Sequence, residues 1–103
     1  MNLRVAGHGR SPGVRGEVVR LRNERAVLIA DDLLSPPEGK TYEAWILRED
    51  VPELAGLFEP NQTGSAAAPI EGSIEDADGV AVTVEPSGGS SSPTDDPLIT
   101  ANI

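Results

Sequence analysis

A chain of 103 residues holds one domain with a single modest core, because a domain of about this size buries only roughly two-thirds of its unfolded surface. Aromatic residues make up 3% of it and cysteine is absent. The core must therefore come from Val, Ile, Leu and Ala, and a disulfide framework, a thiolate zinc site and a cysteine nucleophile are excluded. A net charge of −9 repels a phosphate backbone and argues against nucleic-acid binding.

The first fifteen residues, with Gly7, Gly9, Pro12 and Gly13 set among Arg and Ser, show no apolar period. They read as a flexible basic lead-in over residues 1–15, ahead of a folded domain over 16–103. The charge is uneven: six Arg precede residue 26 against Glu17 and Glu24, whereas fifteen acids follow it against Lys40 and Arg48. No stretch approaches the ~18 apolar residues of a membrane span, and no apolar signal-peptide core follows Met1. Taken alone, the chain reads as a soluble domain.

From Gly16 the pattern is β. Residues 17–22 and 25–30 are short runs rich in Val, Leu and Ile around a turn at Asn23-Glu24, which predicts a hairpin. Ser35-Pro36-Pro37-Glu38-Gly39 breaks the chain, since consecutive prolines suit neither helix nor ladder. Residues 41–48 form the strongest strand pattern. Tyr42, Ala44 and Ile46 share one face and Trp45 and Leu47 the other, so this strand is central or covered on its outer side. A further strand over 53–59 ends at Pro60, and Asn61-Gln62-Thr63-Gly64-Ser65 is polar turn chemistry. A seventh strand is expected near Pro69-Ile70-Glu71. Gly79 opens a strand with Val80, Val82 and Val84 on one face, a Gly/Ser/Pro loop runs over 86–93, and residues 98–103 close the fold. Six to seven short strands with turns between them predict an all-β fold, a small antiparallel β-sandwich of immunoglobulin-like size.

Catalytic chemistry finds little support. The only histidine, His8, lies between two glycines in the lead-in with nothing to hold it as a general base. The serines at 87 and 90–92 have no base nearby, so no catalytic residue and no cofactor are expected. Asp76, Asp78, Gly79 and Glu85 match positions 3, 5, 6 and 12 of a calcium loop. Position 1 is Ile74, which supplies no oxygen, so the run reads as a β-turn and no metal is expected. The adjacent acids Asp31-Asp32, Glu49-Asp50 and Asp95-Asp96 point to opposite sides of an extended chain and read as solvated turn residues. Asn61-Gln62-Thr63 fits the short glycosylation pattern, which recurs by chance. Trp45 reads as the largest piece of the sandwich core.

Three motifs go further. Gly39-Lys40-Thr41-Tyr42-Glu43-Ala44-Trp45-Ile46-Leu47, then Ala55-Gly56-Leu57-Phe58, then Ala81-Val82-Thr83-Val84-Glu85-Pro86-Ser87-Gly88-Gly89-Ser90 with Pro93-Thr94, occur in this order. Together they resemble the C-terminal domain of the anti-sigma-K factor family of bacterial membrane proteins, over about residues 16–103. Gly39, Tyr42, Trp45, Gly56 and Phe58 carry the fold signature of that resemblance. The resemblance implies a non-enzymatic regulator in three parts: a cytoplasmic segment that binds an extracytoplasmic-function sigma factor, one membrane helix, and a β-rich domain on the extracytoplasmic face. It also implies release of the sigma factor by stepwise proteolysis, hence a membrane or periplasmic protease as a partner. The sigma factor would be met only through a region this chain does not contain, so the chain is expected to start just outside the membrane. The alternative is a free-standing secreted or periplasmic β-sandwich that binds a small molecule, a glycan or a protein. In either case a ligand or partner loop is sought first at Glu85, Pro86, Gly88, Gly89, Ser90, Pro93 and Thr94. Oligomeric state is left open, with residues 98–103 as a candidate edge strand for pairing two copies.

Overall fold

The computed structural model describes residues 14–103 in full and the backbone of Asn2–Gly7. It is all-β, as the spacing of apolar residues predicts. The strands are β1 (Asn2–Gly7), β2 (Arg15–Arg20), β3 (Ala26–Asp31), β4 (Lys40–Arg48), β5 (Val51–Phe58), β6 (Ala66–Ile70), β7 (Gly79–Pro86) and β8 (Ile99–Asn102). A single 3-10 turn at Arg22–Glu24 joins β2 to β3. Every pairing is antiparallel, in the order β5-β4-β7-β8-β1-β2-β3-β6. β1 links two sheets, pairing β2 over Asn2 to Val5 and β8 over Ala6 and Gly7.

This strand falls inside the expected lead-in. Leu3 and Val5 do alternate with Asn2 and Arg4, a period-two signal that the flanking glycines obscure. At its other end Val14 belongs to the core and Arg15 opens β2; the rest of the lead-in, with His8, lies outside the described residues.

Two tight connections set the registers. In the β2–β3 hairpin Asn23 and Glu24 take φ of 61° and 58°, and the Leu21 amide donates to the Arg25 carbonyl at 2.7 Å. Glu49 and Asp50 form the two-residue turn between β4 and β5, with φ of 52° and 64°. Positive φ at both central positions is the backbone whose twist matches that of the flanking strands.

The core lies between the sheets. β3 alternates inward with Ala26, Leu28 and Ala30, facing Tyr42, Ala44 and Ile46 of β4, Val80 and Val82 of β7, and Ile99 and Ala101 of β8. Loop residues Val14, Leu33 and Ile74 complete it. Its one aromatic pair is Tyr42 on Phe58, directly opposed across β4 and β5 with ring centroids 5.6 Å apart. The Tyr42 hydroxyl donates to the Leu34 carbonyl, so the ring is buried with its polar atom satisfied.

Gly79, where β7 begins, shows how close the pairing is. A Cβ there would stand 2.3 Å from the Ala101 carbonyl oxygen, on the neighbouring strand. Gly79→Ala is therefore expected to force β7 from β8 and to cost about 1–3 kcal/mol, read as a lower urea midpoint with an unchanged slope.

Two expectations need correcting. Residues 98–103 are no sheet edge, because β8 lies between β7 and β1; the edges are β5 and β6. Trp45 is completely buried but stands outside the inter-sheet core. Alternation along β4 turns it to the opposite face from Tyr42, Ala44 and Ile46.

Candidate functional site

The sequence allows that this outer face is covered, and the structure puts a second, smaller core there. Thr41, Glu43 and Trp45 of β4 stand beside Glu85, Thr83 and Ala81 of β7, pair by pair across the ladder. All six are buried, Glu85 and Trp45 completely. Residues 87–97, between β7 and β8, are the segment tied over this face.

A chain of hydrogen bonds holds the arrangement. Trp45 Nε1 donates to Thr83 Oγ1 at 2.9 Å, and the Thr83 hydroxyl donates to Glu85 Oε2 at 2.6 Å. The second Glu85 oxygen accepts from the Thr94 hydroxyl at 2.6 Å, and the Thr94 amide donates to the same carboxylate at 3.0 Å. Glu43 Oε1 accepts from the Ser90 amide at 2.8 Å. Two buried carboxylates thus tie the loop down at Ser90 and Thr94. The Leu98 amide closes its far end on the Val82 carbonyl, and the Ser87 amide holds its near end to the Gly39 carbonyl.

The carboxylates differ electrostatically. Burial raises the Glu43 carboxyl above the ordinary glutamate range, the Ser90 amide opposes this, and the Glu85 charge adds to it. Burial also acts upward on Glu85, but bonds from Thr83, Thr94 and Ser90 outweigh it and hold that carboxyl below the ordinary range. Hydrogen bonds to the charged form favour ionisation, and desolvation disfavours it.

For Glu43 the raised folded-state value means a contribution that stabilises fully at low pH and is lost as pH rises through that value. Glu43→Gln keeps an acceptor for Ser90 and removes the buried charge. It is expected to be more stable than the parent at neutral pH, with the difference vanishing in acid; thermal melts at pH 7.5 and 4 measure this.

The candidate loop residues therefore divide. Glu85 and Thr94 are the anchor and its partner. Pro86 ends β7 opposite Lys40, and Pro93 precedes the anchored Thr94. Gly88, Gly89 and Ser90 form the turn that rests on β5. A Cβ at Gly89 would lie 2.9 Å from Leu57 Cδ2 and 3.3 Å from Glu43 Oε1, and its φ is +84°. Glycine is required on both counts. Gly89→Ala is expected to lower stability by about 1–2 kcal/mol, seen as a drop of several degrees in the melting temperature.

The calcium-loop match dissolves in the fold. Ile74 is a core residue, and the Asp78 carboxylate accepts from the Glu49 amide. Asn61 Oδ1 likewise serves its own turn, accepting from the Thr63 amide and hydroxyl and the Ser65 amide. Among the described residues no helix is long and apolar enough to cross a membrane.

Comparison with known proteins bears on this loop-capped sandwich. The family model for the anti-sigma-K factor RskA C-terminal domain matches residues 4–98. The chain belongs to the anti-sigma-K factor C-terminal family. Relatives agree: the anti-sigma-K factor RskA of Mycobacterium sp. strains KMS, JLS and MCS is 32% identical over 88 residues, covering 84% of this chain and 36% of each relative. An uncharacterized protein in the phr 5' region of Streptomyces griseus is 38% identical over 92 residues, covering 88% of this chain and 38% of its own length. The chain thus spans under two-fifths of the relatives it matches. No solved structure matches. In this anti-sigma-K factor C-terminal domain, motif residues Glu43, Trp45, Thr83 and Glu85 are those of the outer core, while Tyr42 and Phe58 stack in the inner one.

Proposed function

We propose that this domain is the extracytoplasmic sensory and regulatory part of a membrane-anchored anti-sigma factor. The observation that carries the reading is the family match over residues 4–98, joined to the relatives' greater length. In this reading the remaining length houses the segment that binds and inhibits an extracytoplasmic-function sigma factor, and a membrane helix. The domain itself touches no sigma factor and carries out no reaction.

Its physical contribution is to protect. A protease engages a chain only where the fold opens, so the free energy of local opening sets the rate of cleavage. A small sandwich whose outer core depends on a loop pinned by two carboxylates has one part that opens more readily than the rest. A signal that binds or displaces that part would change how fast a membrane or periplasmic protease acts.

The test uses the full-length gene with a reporter driven by the partner sigma factor. Trp45→Ala, which empties the outer core, is expected to speed cleavage of the full-length protein and raise reporter output. Unaltered cleavage would sink the protective role. An open reading frame carrying no membrane helix and no cytoplasmic part would sink the anti-sigma assignment and favour a free-standing binding module.

A further inference from the structure

The outer face of β5 carries large apolar side chains that the fold does not use. Leu54 is 58% exposed and Leu57 47%, and both stand on the outer side, opposite Trp45 and Glu43 of β4. A bulge between Ala44 and Trp45 admits the extra residue Ala55, which turns into the core. This leaves the two leucines on one face despite their three-residue spacing. Beside them runs a groove whose far wall is the Gly88–Gly89–Ser90–Ser91 turn, with Glu43, Gly56 and Glu71 also lining it. Gly56 and Gly89 keep it open: a Cβ at Gly56 would lie 2.8 Å from Glu71 Oε2, and one at Gly89 2.9 Å from Leu57.

The charge of the groove selects its occupant. Among the described residues, its ionisable lining residues are the carboxylates of Glu43 and Glu71, with no cation in the lining. Arg48 is engaged elsewhere, bonded to Glu53 and to the Ser73 and Glu75 carbonyls. A second copy of a chain with net charge −9 would bring like charges together, which opposes self-association. Ordinary strand addition at this edge is also hindered. Pro52 has no amide to donate, and the Ala55 carbonyl already accepts from the Glu71 amide at 2.9 Å.

We propose that the groove between β5 and the Gly88–Ser91 turn is a docking site for an extended, basic segment of a partner protein. Aliphatic side chains of that segment rest on Leu54 and Leu57, and a Lys or Arg reaches Glu71 and the mouth of Glu43. Long basic side chains suit this, since their methylene stems cover apolar surface while the charged head seeks the carboxylate. The site goes beyond the anti-sigma reading and does not depend on it.

A capped pentapeptide alternating leucine with lysine is the probe, added to the 15N-labelled chain and followed by amide chemical shifts. So short a segment is expected to bind at about 0.1–1 mM. The expected shifts cluster at Leu54, Leu57, Gly89 and Ser90, weaken with salt, and are absent with the peptide in which glutamate replaces lysine. Glu71→Lys and Leu57→Ser, both exposed positions, should each weaken binding about tenfold while the Trp45 emission shows the outer core intact. Three results overturn the proposal: no shifts at ~5 mM peptide, well above the expected range; shifts spread evenly over the acidic surface and equal in both variants; or concentration-dependent shifts at Leu54 and Leu57 without peptide, which would make the face a contact between copies.

Discussion

Replacing Glu85 with alanine is expected to cost about 3–4 kcal/mol, a large share of the ~5–15 kcal/mol that holds a domain of this kind together. The figure follows from what the carboxylate accepts. Thr83 and Thr94 present three donors to it, the Thr94 amide reaching both oxygens, and bonds to a charged group contribute roughly 1.5–3 kcal/mol each before the losses overlap. Thr94 is on an exposed loop, where water takes over its bonding. Thr83 is buried, so its hydroxyl is left without an acceptor. The variant should unfold at much lower urea, with the amides of residues 87–97 losing protection from hydrogen exchange before those of β3 and β4. A loss below about 1 kcal/mol would mean the carboxylate is not what pins the loop.

The same site sets a pH dependence whose sign can be worked out. Glu85 is held below the ordinary glutamate range in the fold, so its contribution is present above that range and is lost as pH falls through the lowered value. Glu43 acts the other way. Acid should therefore loosen the loop through Glu85 while relieving the cost of Glu43. Glu85→Gln, which cannot ionise, should flatten the acid limb of the stability curve. Double substitution with Glu43→Gln should flatten both contributions, and residues that share one loop are expected to deviate from additivity.

The inner core was legible because it obeys a period of two. Val18, Leu28, Tyr42, Ala44, Ile46, Val80 and Val82 each fall where alternation puts an inward side chain, and seven of the strands follow the predicted order with boundaries moved by a few residues. The outer core was not legible in the same way. Thr41, Glu43, Thr83 and Glu85 look like a solvated face, and their burial comes from residues 87–97 crossing back over them, a tertiary event that no local pattern encodes. One signal did point to it: Trp45 and Tyr42 on opposite sides of one strand require cover on both faces. The Gly/Ser/Pro composition of the covering loop pointed the other way, since such a stretch usually reads as free chain. The groove was hidden for a related reason. Leu54 and Leu57 share a face only because of the bulge at Ala55, and a bulge leaves a faint trace in sequence, here Gly56 alone.

Trp45→Ala is expected to have the largest effect, about 3–5 kcal/mol, enough to leave the domain near the edge of folding at 37 °C. Trp45 is completely buried and is the largest of the fully buried side chains. Removing the indole leaves a cavity that β4, held between β5 and β7, cannot collapse to fill. It also takes away the donor that Nε1 presents to Thr83, at the head of the chain that runs through Glu85 to Thr94. Trp45→Phe separates the two losses: the ring still fills most of the space, and only the hydrogen bond is gone. It should cost about 1–2 kcal/mol. Circular dichroism melts measure both, because neither variant retains the single tryptophan as a fluorophore. If Trp45→Phe is as damaging as Trp45→Ala, the hydrogen-bonded chain governs the outer core; if it is nearly silent, packing does. The alanine variant should also free residues 87–97 to a protease added to the isolated domain, at a site that the parent protects. Cleavage elsewhere, or none, would place the weakest part of this fold outside the loop that Glu43 and Glu85 hold down.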